Sequence, residues 1–84
     1  MITARQSRAA RALLGWTQET LADKARTSLT ALKRLESESG LEVYEYTRDQ
    51  VRRALEEAGI VLLSTDKGEG VLLLHEREAQ RKRR

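Results

Sequence analysis

The sequence contains no cysteine and no proline, and only 4% of its 84 residues are aromatic. Without cysteine there is neither a disulfide framework nor a thiolate metal site. His75 is the one histidine and has no second ligand type at metal-binding spacing, so we expect no metal and no other cofactor. No apolar run has the length of a signal peptide or a membrane span. These absences predict a single soluble, cytoplasmic domain close to the smallest size that buries a core unaided.

Charge is distributed unevenly along the chain. Residues 1–34 carry seven Lys and Arg against two acids, residues 35–58 carry three against seven, and residues 59–84 carry six against four. A basic amino-terminal block suits a polyanionic partner, although a solvated helix face has the same composition. Residues 76–84 mix both signs with little to bury, and we expect them to form a charged, flexible tail.

Capping patterns predict three short helices in the first part of the chain. Thr3 with Gln6 forms a capping box that opens the first helix, and Gly15 ends it. Thr17 caps a second helix through Ala25, and Ser28 caps a third that runs to about Ser37. The inward positions of these helices are Ile2, Ala10, Leu13, Leu14, Leu21, Ala22, Ala25, Leu32 and Leu35.

A loop and a fourth helix are expected next. The loop covers Glu38 to Tyr46, with Val43, Tyr44 and Tyr46 available to hold it against the core. Thr47 with Gln50 matches a second capping box, and the helix that it opens ends at Gly59. Its inward residues are Val51, Ala54, Leu55 and Ala58.

The remainder of the ordered chain has the pattern of a β-hairpin. Ile60–Leu63 and Val71–Leu74 are short apolar runs on either side of Asp66–Gly70. The expected fold is therefore mainly α, with about four helices and a carboxy-terminal hairpin. Residues 1–59 form the helical bundle, residues 60–75 the hairpin and residues 76–84 the tail.

Apolar spacing between Gln18 and Leu35 is typical of two helices that cross at a sharp angle through a short turn. Packing of this kind leaves Leu29, Thr30, Lys33 and Arg34 on the outer side of the third helix. That face is lightly basic and rich in hydrogen-bonding groups, as a reader of the DNA major groove must be. An ordinary helical hairpin has the same spacing.

Residues 18–22, Ser28 and residues 32–36 resemble the helix-turn-helix of the XRE family, the Cro and phage-repressor type. Ala10-Arg11 and residues 14–18 resemble the first helix and turn of that family, and residues 46–74 resemble a subgroup with a carboxy-terminal hairpin. The resemblance covers residues 2–74. It implies a lambda-repressor-like bundle that binds double-stranded DNA sequence-specifically.

The resemblance also implies roles for individual residues. Base edges are read from Leu29, Thr30, Lys33 and Arg34, with Arg34 suited to a bidentate contact with guanine. Phosphates are bound at helix amino-termini by Thr17, Gln18 and Ser28. Arg11 and Glu36 match a pair that links the first helix to the end of the third and orients the recognition helix.

Three positions depart from the family pattern. Arg26 stands where glycine is preferred, at a turn position that often needs a positive φ. Ser7 stands where a larger apolar residue is usual, which thins a small core. No Lys or Arg lies between Arg34 and Arg48, and four glutamates (Glu36, Glu38, Glu42 and Glu45) occupy that stretch instead. Acids that face phosphates weaken DNA binding.

The hairpin predicts self-association. Its strands are apolar at consecutive positions, so both faces favour burial, whereas one helical layer covers only one face. We expect a homodimer through Ile60, Leu62, Val71 and Leu73, which presents two recognition helices to half-sites roughly 34 Å apart on a two-fold operator. A monomer with its hairpin against its own helices is the alternative.

Two functions remain open at this point. The first is a transcriptional repressor that binds DNA as a homodimer. The second is a protein-binding module of the same fold, an antiactivator or antitoxin that masks a partner and does not read DNA. No carboxylate is paired with a serine, cysteine or histidine as catalysis requires, so we do not expect an enzyme.

Overall fold

A computed structural model describes residues 1–37 and 42–75. The predicted charged tail, 76–84, and part of the predicted loop, 38–41, lie outside those residues. The elements are α1 (Ala4–Leu14), α2 (Gln18–Ala25), α3 (Leu29–Glu36), α4 (Glu45–Glu57), β1 (Ile60–Thr65) and β2 (Gly68–Leu73). The expectation of a mainly helical chain with four helices and one hairpin is confirmed.

The first three helices begin where their capping residues predicted. Thr3 Oγ1 accepts a hydrogen bond from the Gln6 backbone N–H at 3.1 Å. Gln6 Oε1 accepts one from the Thr3 backbone N–H, also at 3.1 Å, which completes the capping box. Thr17 Oγ1 accepts from the Thr20 N–H and Ser28 Oγ from the Ala31 N–H, both at 3.0 Å. Each hydroxyl therefore binds one of the amide groups that a helix start leaves without a partner.

Left-handed residues end α1 and α2. Gly15 has a φ of 70° and Arg26 a φ of 58°. After each of them the chain folds back, so that the Trp16 N–H donates to the Arg11 carbonyl at 2.9 Å and the Thr27 N–H donates to the Ala22 carbonyl at 3.0 Å. Arg26 thus adopts the conformation for which glycine is preferred.

The fourth helix begins earlier than predicted. It starts at Glu45, after Tyr44, with no side-chain cap, and Thr47 is buried within its first turns. The predicted capping box of Thr47 and Gln50 is wrong because Thr47 already lies within the helix. The Gln50 amide donates instead to the Ala25 carbonyl at the end of α2, at 3.2 Å. A contact between helices has replaced a local one.

The tyrosines do not hold the loop against the core. Tyr44 is 83% exposed and Tyr46 is 70% exposed, so this prediction is wrong for both. Val43 does pack against the core, as expected. Val43 therefore contacts the core before α4, whereas the rings of Tyr44 and of Tyr46, in the first turn of α4, face solvent.

The hairpin has a tighter turn than predicted. Ile60 lies opposite Leu73 and Thr65 opposite Gly68, which leaves only Asp66 and Lys67 in the turn. Thr65 Oγ1 accepts the N–H groups of Lys67 and Gly68 at 3.1 and 3.2 Å. Because a threonine hydroxyl can bind the backbone in this way, it closes the turn without a left-handed residue.

All four helices and the first strand contribute to one core. The buried apolar residues are Ile2, Ala10, Leu21, Ala22, Ala25, Leu32, Leu35, Val51, Ala54, Leu55 and Ile60. Most of the predicted core is confirmed, but Leu13 is 48% exposed. The inward side of α1 includes Gln6, Ser7 and Ala10, and Leu13 falls beyond its edge. No helix in the described part of the chain is long and apolar enough to cross a membrane.

The predicted dimer-interface residues require correction. Ile60 belongs to the core of its own chain, and Leu62, Val71 and Leu73 pack against that core. Side chains alternate between the two faces of a strand, so the residues between them point the other way. The side of the hairpin away from the helices carries Val61, Leu63 and Leu72, continued by Leu74.

Candidate nucleic-acid interface

The α2–turn–α3 unit separates an inward side from an outward side. Its turn has three residues, Arg26 to Ser28. Inward, Leu21, Ala22 and Ala25 of α2 are buried together with Leu32 and Leu35 of α3. Because buried positions recur three or four residues apart, the intervening residues of α3 are left on the surface.

The predicted base-reading residues lie on that surface, with one exception. Thr30, Lys33 and Arg34 are exposed, and within residues 1–37 and 42–75 none of these side chains forms a hydrogen bond or ion pair. Leu29 is half-buried and packs against the core, so only part of its side chain is accessible. The accessible reading face is therefore narrower and more polar than the sequence predicted.

Thr17 and Ser28 lie at the amino-termini of α2 and α3. Each uses its hydroxyl oxygen as an acceptor in the cap. Thr17 Oγ1 also lies 3.0 Å from Thr20 Oγ1, and one of these two hydroxyl groups donates to the other. Among the residues described, the Ser28 hydroxyl hydrogen has no such acceptor and is available to a further oxygen. The amide groups of a first helical turn also point along the axis, where the helix dipole favours an anion. The predicted phosphate contact of Ser28 thus has suitable geometry, and that of Thr17 requires Thr20 to be the donor in the bond between the two threonines.

Gln18 has a partner that the sequence did not reveal. Its Nε2 donates to Glu36 Oε1 at 3.0 Å, so this amide group is directed into the protein. The backbone N–H of Gln18 is in the first turn of α2 and keeps the orientation that an anion requires. The predicted contribution of Gln18 to phosphate binding is therefore better assigned to its backbone than to its side chain.

The buried Glu36 carboxylate joins three helices. Arg11 of α1 donates to both carboxylate oxygens, from Nη2 to Oε1 at 2.8 Å and from Nε to Oε2 at 2.9 Å. Ser7 of α1 adds a hydrogen bond to Oε2 at 2.6 Å, and Gln18 of α2 binds Oε1. The predicted pair of Arg11 and Glu36 is present, within a larger network.

Two members of this network were not recognised from the sequence. Ser7, interpreted as a defect in the apolar core, is fully buried and donates to Glu36. Arg8 donates from its guanidinium to the Glu36 backbone carbonyl at the end of α3. A small polar residue one turn before Arg11, on the same side of α1, was the available indication of a polar cluster.

The environment of Glu36 favours its ionised form. Burial by itself raises the pKa of this carboxyl group, but the hydrogen bonds from Arg11, Ser7 and Gln18 outweigh burial and lower the pKa below its ordinary value of 4.5. Glu36 is therefore not one of the acids that would face phosphates. It is a structural anion that holds the carboxyl end of α3.

Most of the arginines are engaged within the protein. Arg48 donates to the Ile2 carbonyl at 2.8 Å, and Arg52 and Arg53 pair with acids of their own helix. Arg5 lies 3.6 Å from Glu69. By contrast, within the described ranges the side chains of Arg26, Lys33 and Arg34 have no partner, and all three belong to the α2–turn–α3 unit. The Lys67 side chain in the hairpin turn is likewise without a described partner.

Acids and aromatic rings lie beside this unit. Arg34 lines a cleft with Glu42, Val43, Tyr44 and Glu45. The two glutamates reduce the positive potential next to Arg34, as expected from the acidic stretch. Tyr44 adds an exposed ring with a hydroxyl group that can donate a hydrogen bond.

No three His, Cys, Asp or Glu side chains among the residues described are grouped as metal ligands. No family model, curated protein or solved structure matches the chain.

Proposed function

We propose that the chain is a sequence-specific, double-stranded DNA-binding transcriptional regulator. It acts as a homodimeric repressor in the cytoplasm, has the lambda-repressor-like arrangement of the XRE type and carries no catalytic activity. One observation carries the proposal: within residues 1–37 and 42–75 the side chains of Arg26, Lys33 and Arg34, all on one helix-turn-helix unit, form no hydrogen bond or ion pair. Surface cations without protein partners are the groups that release counterions from DNA on binding.

In this proposal α3 lies in the major groove. Arg34 forms the bidentate contact with guanine O6 and N7, and the Thr30 methyl group contacts a thymine methyl. Lys33, on the same exposed side, binds a phosphate. The short helix suits this role because its outward side chains form no hydrogen bond or ion pair with any described residue, so none must be broken when they enter the groove.

Phosphates are bound at the two helix amino-termini. The Thr17 and Ser28 hydroxyl groups and the first amide of α2 donate to the backbone oxygens on either side of the groove. These contacts set the register of α3 on the duplex and contribute little sequence information.

The Glu36 network contributes rigidity to the same site. It fixes the end of α3 against α1 and α2 through hydrogen bonds of 2.6 to 3.0 Å. A recognition helix that is held in place before binding loses less conformational entropy when it docks.

Duplexes selected by the protein from a random pool, followed by fluorescence anisotropy at several salt concentrations, test the proposal. Arg34→Ala is expected to relax preference at one base pair and to cost about 1–3 kcal/mol there. Lys33→Ala is expected to weaken binding to all sequences and to reduce the salt slope by about one.

Arg53→Ala is the matched control, because it removes one exposed arginine that pairs with Asp49 on α4. It should leave sequence preference unchanged. Failure of the selection to enrich any sequence, or equal effects of the Arg34 and Arg53 substitutions, would contradict the proposed reading face.

A second candidate is a protein-binding module of the same fold, an antiactivator or antitoxin. The exposed Tyr44 and Tyr46, next to Glu42 and Glu45, favour it. Tyrosine is enriched at protein interfaces, and acids beside it would select a basic partner. This function predicts that Tyr44→Ala abolishes partner binding while the selected-duplex assay remains negative for the parent protein.

A further inference from the structure

The face of the hairpin directed away from the helices is apolar and carries no charge. Its strand residues are Val61, Leu63, Thr65, Gly68, Gly70 and Leu72, and none is ionisable. Leu63 is 46% exposed, Leu72 48% and Leu74, which continues this face, 38%. In a chain of which 35% is charged, such a surface is exceptional. A partner for it must itself be uncharged and apolar.

The surface of this outer face of the hairpin is self-complementary in shape. Leu63 lies opposite Gly70, and Thr65 lies opposite Gly68, so β1 carries the larger side chain on both of these rungs. A Cβ atom built on Gly70 or Gly68 meets nothing within 4 Å. On these two rungs the outer face therefore has a ridge on β1 and an open groove on β2, whereas on the Val61–Leu72 rung the larger side chain is on β2.

We propose that a second copy of the chain covers this face, with Leu63 of each copy seated over Gly70 of the other. A two-fold axis parallel to the strands and between them superimposes the ridge of each copy on the groove of its partner. Thr65 then lies over Gly68, and Val61 over Leu72. Such reciprocity is what an isologous interface requires, and it distinguishes a second copy from an unrelated apolar partner.

This interface is weak in the absence of DNA. The half-exposed side chains present on the order of 300 Å² per copy, well below the roughly 800 Å² per partner of a stable interface. We therefore expect a dissociation constant in the micromolar to millimolar range. The proposed interface does not depend on DNA binding. Only the expectation that two DNA half-sites stabilise the dimer rests on the proposed function.

Sedimentation velocity of the full chain, from about 10 µM to 1 mM and without DNA, measures this association directly. The parent protein should shift from monomer toward dimer across that range. Gly70→Leu fills the groove and should raise the dissociation constant at least about tenfold. Its monomer should fold normally, because Gly70 has no positive φ and its Cβ position is open.

Ser64→Leu is the matched control, since it adds the same side chain to the same hairpin on the opposite face. Non-specific association through apolar surface would increase with both substitutions, whereas the proposed packing is weakened only by Gly70→Leu. In the double variant Leu63→Ala/Gly70→Leu the ridge moves to the other strand, and dimerisation should recover. Circular dichroism of each variant verifies that it is folded.

A parent protein that remains monomeric at 1 mM, or a Gly70→Leu variant that associates as well as the parent, would overturn the inference. Either result leaves the duplex-selection experiment unaffected. Conversely, a dimer sensitive to Gly70→Leu in a protein that enriches no DNA sequence supports the interface and refutes the proposed function.

Discussion

Arg26 occupies the turn between α2 and α3 with a φ of 58° and a ψ of 43°. It is the one non-glycine residue with a positive φ among residues 1–37 and 42–75. A non-glycine residue in this left-handed conformation brings its Cβ close to a backbone oxygen, at a cost of roughly 1–2 kcal/mol. The chain tolerates this cost at the turn that orients its third helix.

Arg26→Gly is expected to raise the free energy of unfolding by up to about 1 kcal/mol, because glycine adopts a positive φ without strain. The gain is smaller than the full strain energy, because glycine also increases the conformational entropy of the unfolded chain. For a domain of this size that corresponds to an increase in Tm of roughly 4–8 °C, measurable by thermal denaturation.

The control is Arg26→Ala, which removes the same charge and retains Cβ. Its Tm should stay near that of the parent protein. Equal stabilisation by alanine and glycine would mean that the charge of Arg26, rather than its backbone conformation, destabilises the domain.

At the scale of elements, Gln6 attaches the hairpin to α1. Its Nε2 donates to the Leu63 carbonyl at 2.9 Å and to the Gly70 carbonyl at 3.1 Å, while its Oε1 accepts from the Thr3 N–H. The two strand carbonyls belong to one rung of the hairpin. One amide group thus caps a helix and holds both strands.

Gln6→Glu is expected to lower the free energy of unfolding by about 2–3 kcal/mol at pH 8, because the acceptor for Thr3 remains while a carboxylate faces two carbonyl oxygens. Amide hydrogen exchange in β1 and β2 should accelerate relative to exchange in α2 and α3.

Thr3→Ala provides the comparison, since it removes only the helix cap. It should cost about 1 kcal/mol and leave exchange in the strands unchanged. If Gln6→Glu costs no more than Thr3→Ala, the amide does not hold the hairpin.

The elements themselves were largely predictable from the sequence, because their signals act over three or four residues. The caps at Thr3, Thr17 and Ser28 are contacts of this kind, and all three are present. Gln6 was recognised as a cap but not as the attachment of the hairpin, whose carbonyls lie 57 and 64 residues away. The start of α4 was wrong because the helix begins at Glu45 without a side-chain cap, and Gln50 contacts α2 across 25 residues of sequence.

The candidate site residues show the same difference between local and long-range contacts. Outward positions such as Thr30 and Arg34 follow from helical periodicity, which is local. Ser7 and Gln18 acquire their roles only when three helices converge on Glu36, and no local pattern specifies that convergence. The predicted side of the hairpin was wrong because consecutive apolar residues do not reveal which parity faces inward.

At the scale of the whole molecule, Glu36 connects α1, α2 and α3, and its pKa is lowered in the folded state. A carboxyl group with a lowered folded-state pKa contributes its full stability above the pKa of the unfolded chain. That contribution is lost as the pH falls through 4.5 and then through the lower pKa of the folded state.

Glu36→Gln is therefore expected to lower the free energy of unfolding by about 3 kcal/mol at pH 7, where Arg11 loses its buried counterion. The difference between variant and parent should shrink at pH 3, because protonation then removes the same charge from the parent. Urea denaturation at the two pH values measures both differences.

Glu56→Gln is the control, because it breaks the exposed ion pair with Arg52. Its effect should be small at both pH values, because water screens an exposed ion pair. A Glu36→Gln variant with an unchanged deficit at pH 3 would show that the ionised carboxylate is not the source of the stability.

The free side chains of α3 have a consequence for how such a chain diversifies. Thr30, Lys33 and Arg34 bond to no other described residue, whereas Leu32, Leu35 and Glu36 of the same helix anchor it. The residues that anchor the helix and those that face solvent thus alternate along α3. If the proposed function holds, binding preference changes by exchange of three surface residues, without a compensating change elsewhere in the scaffold.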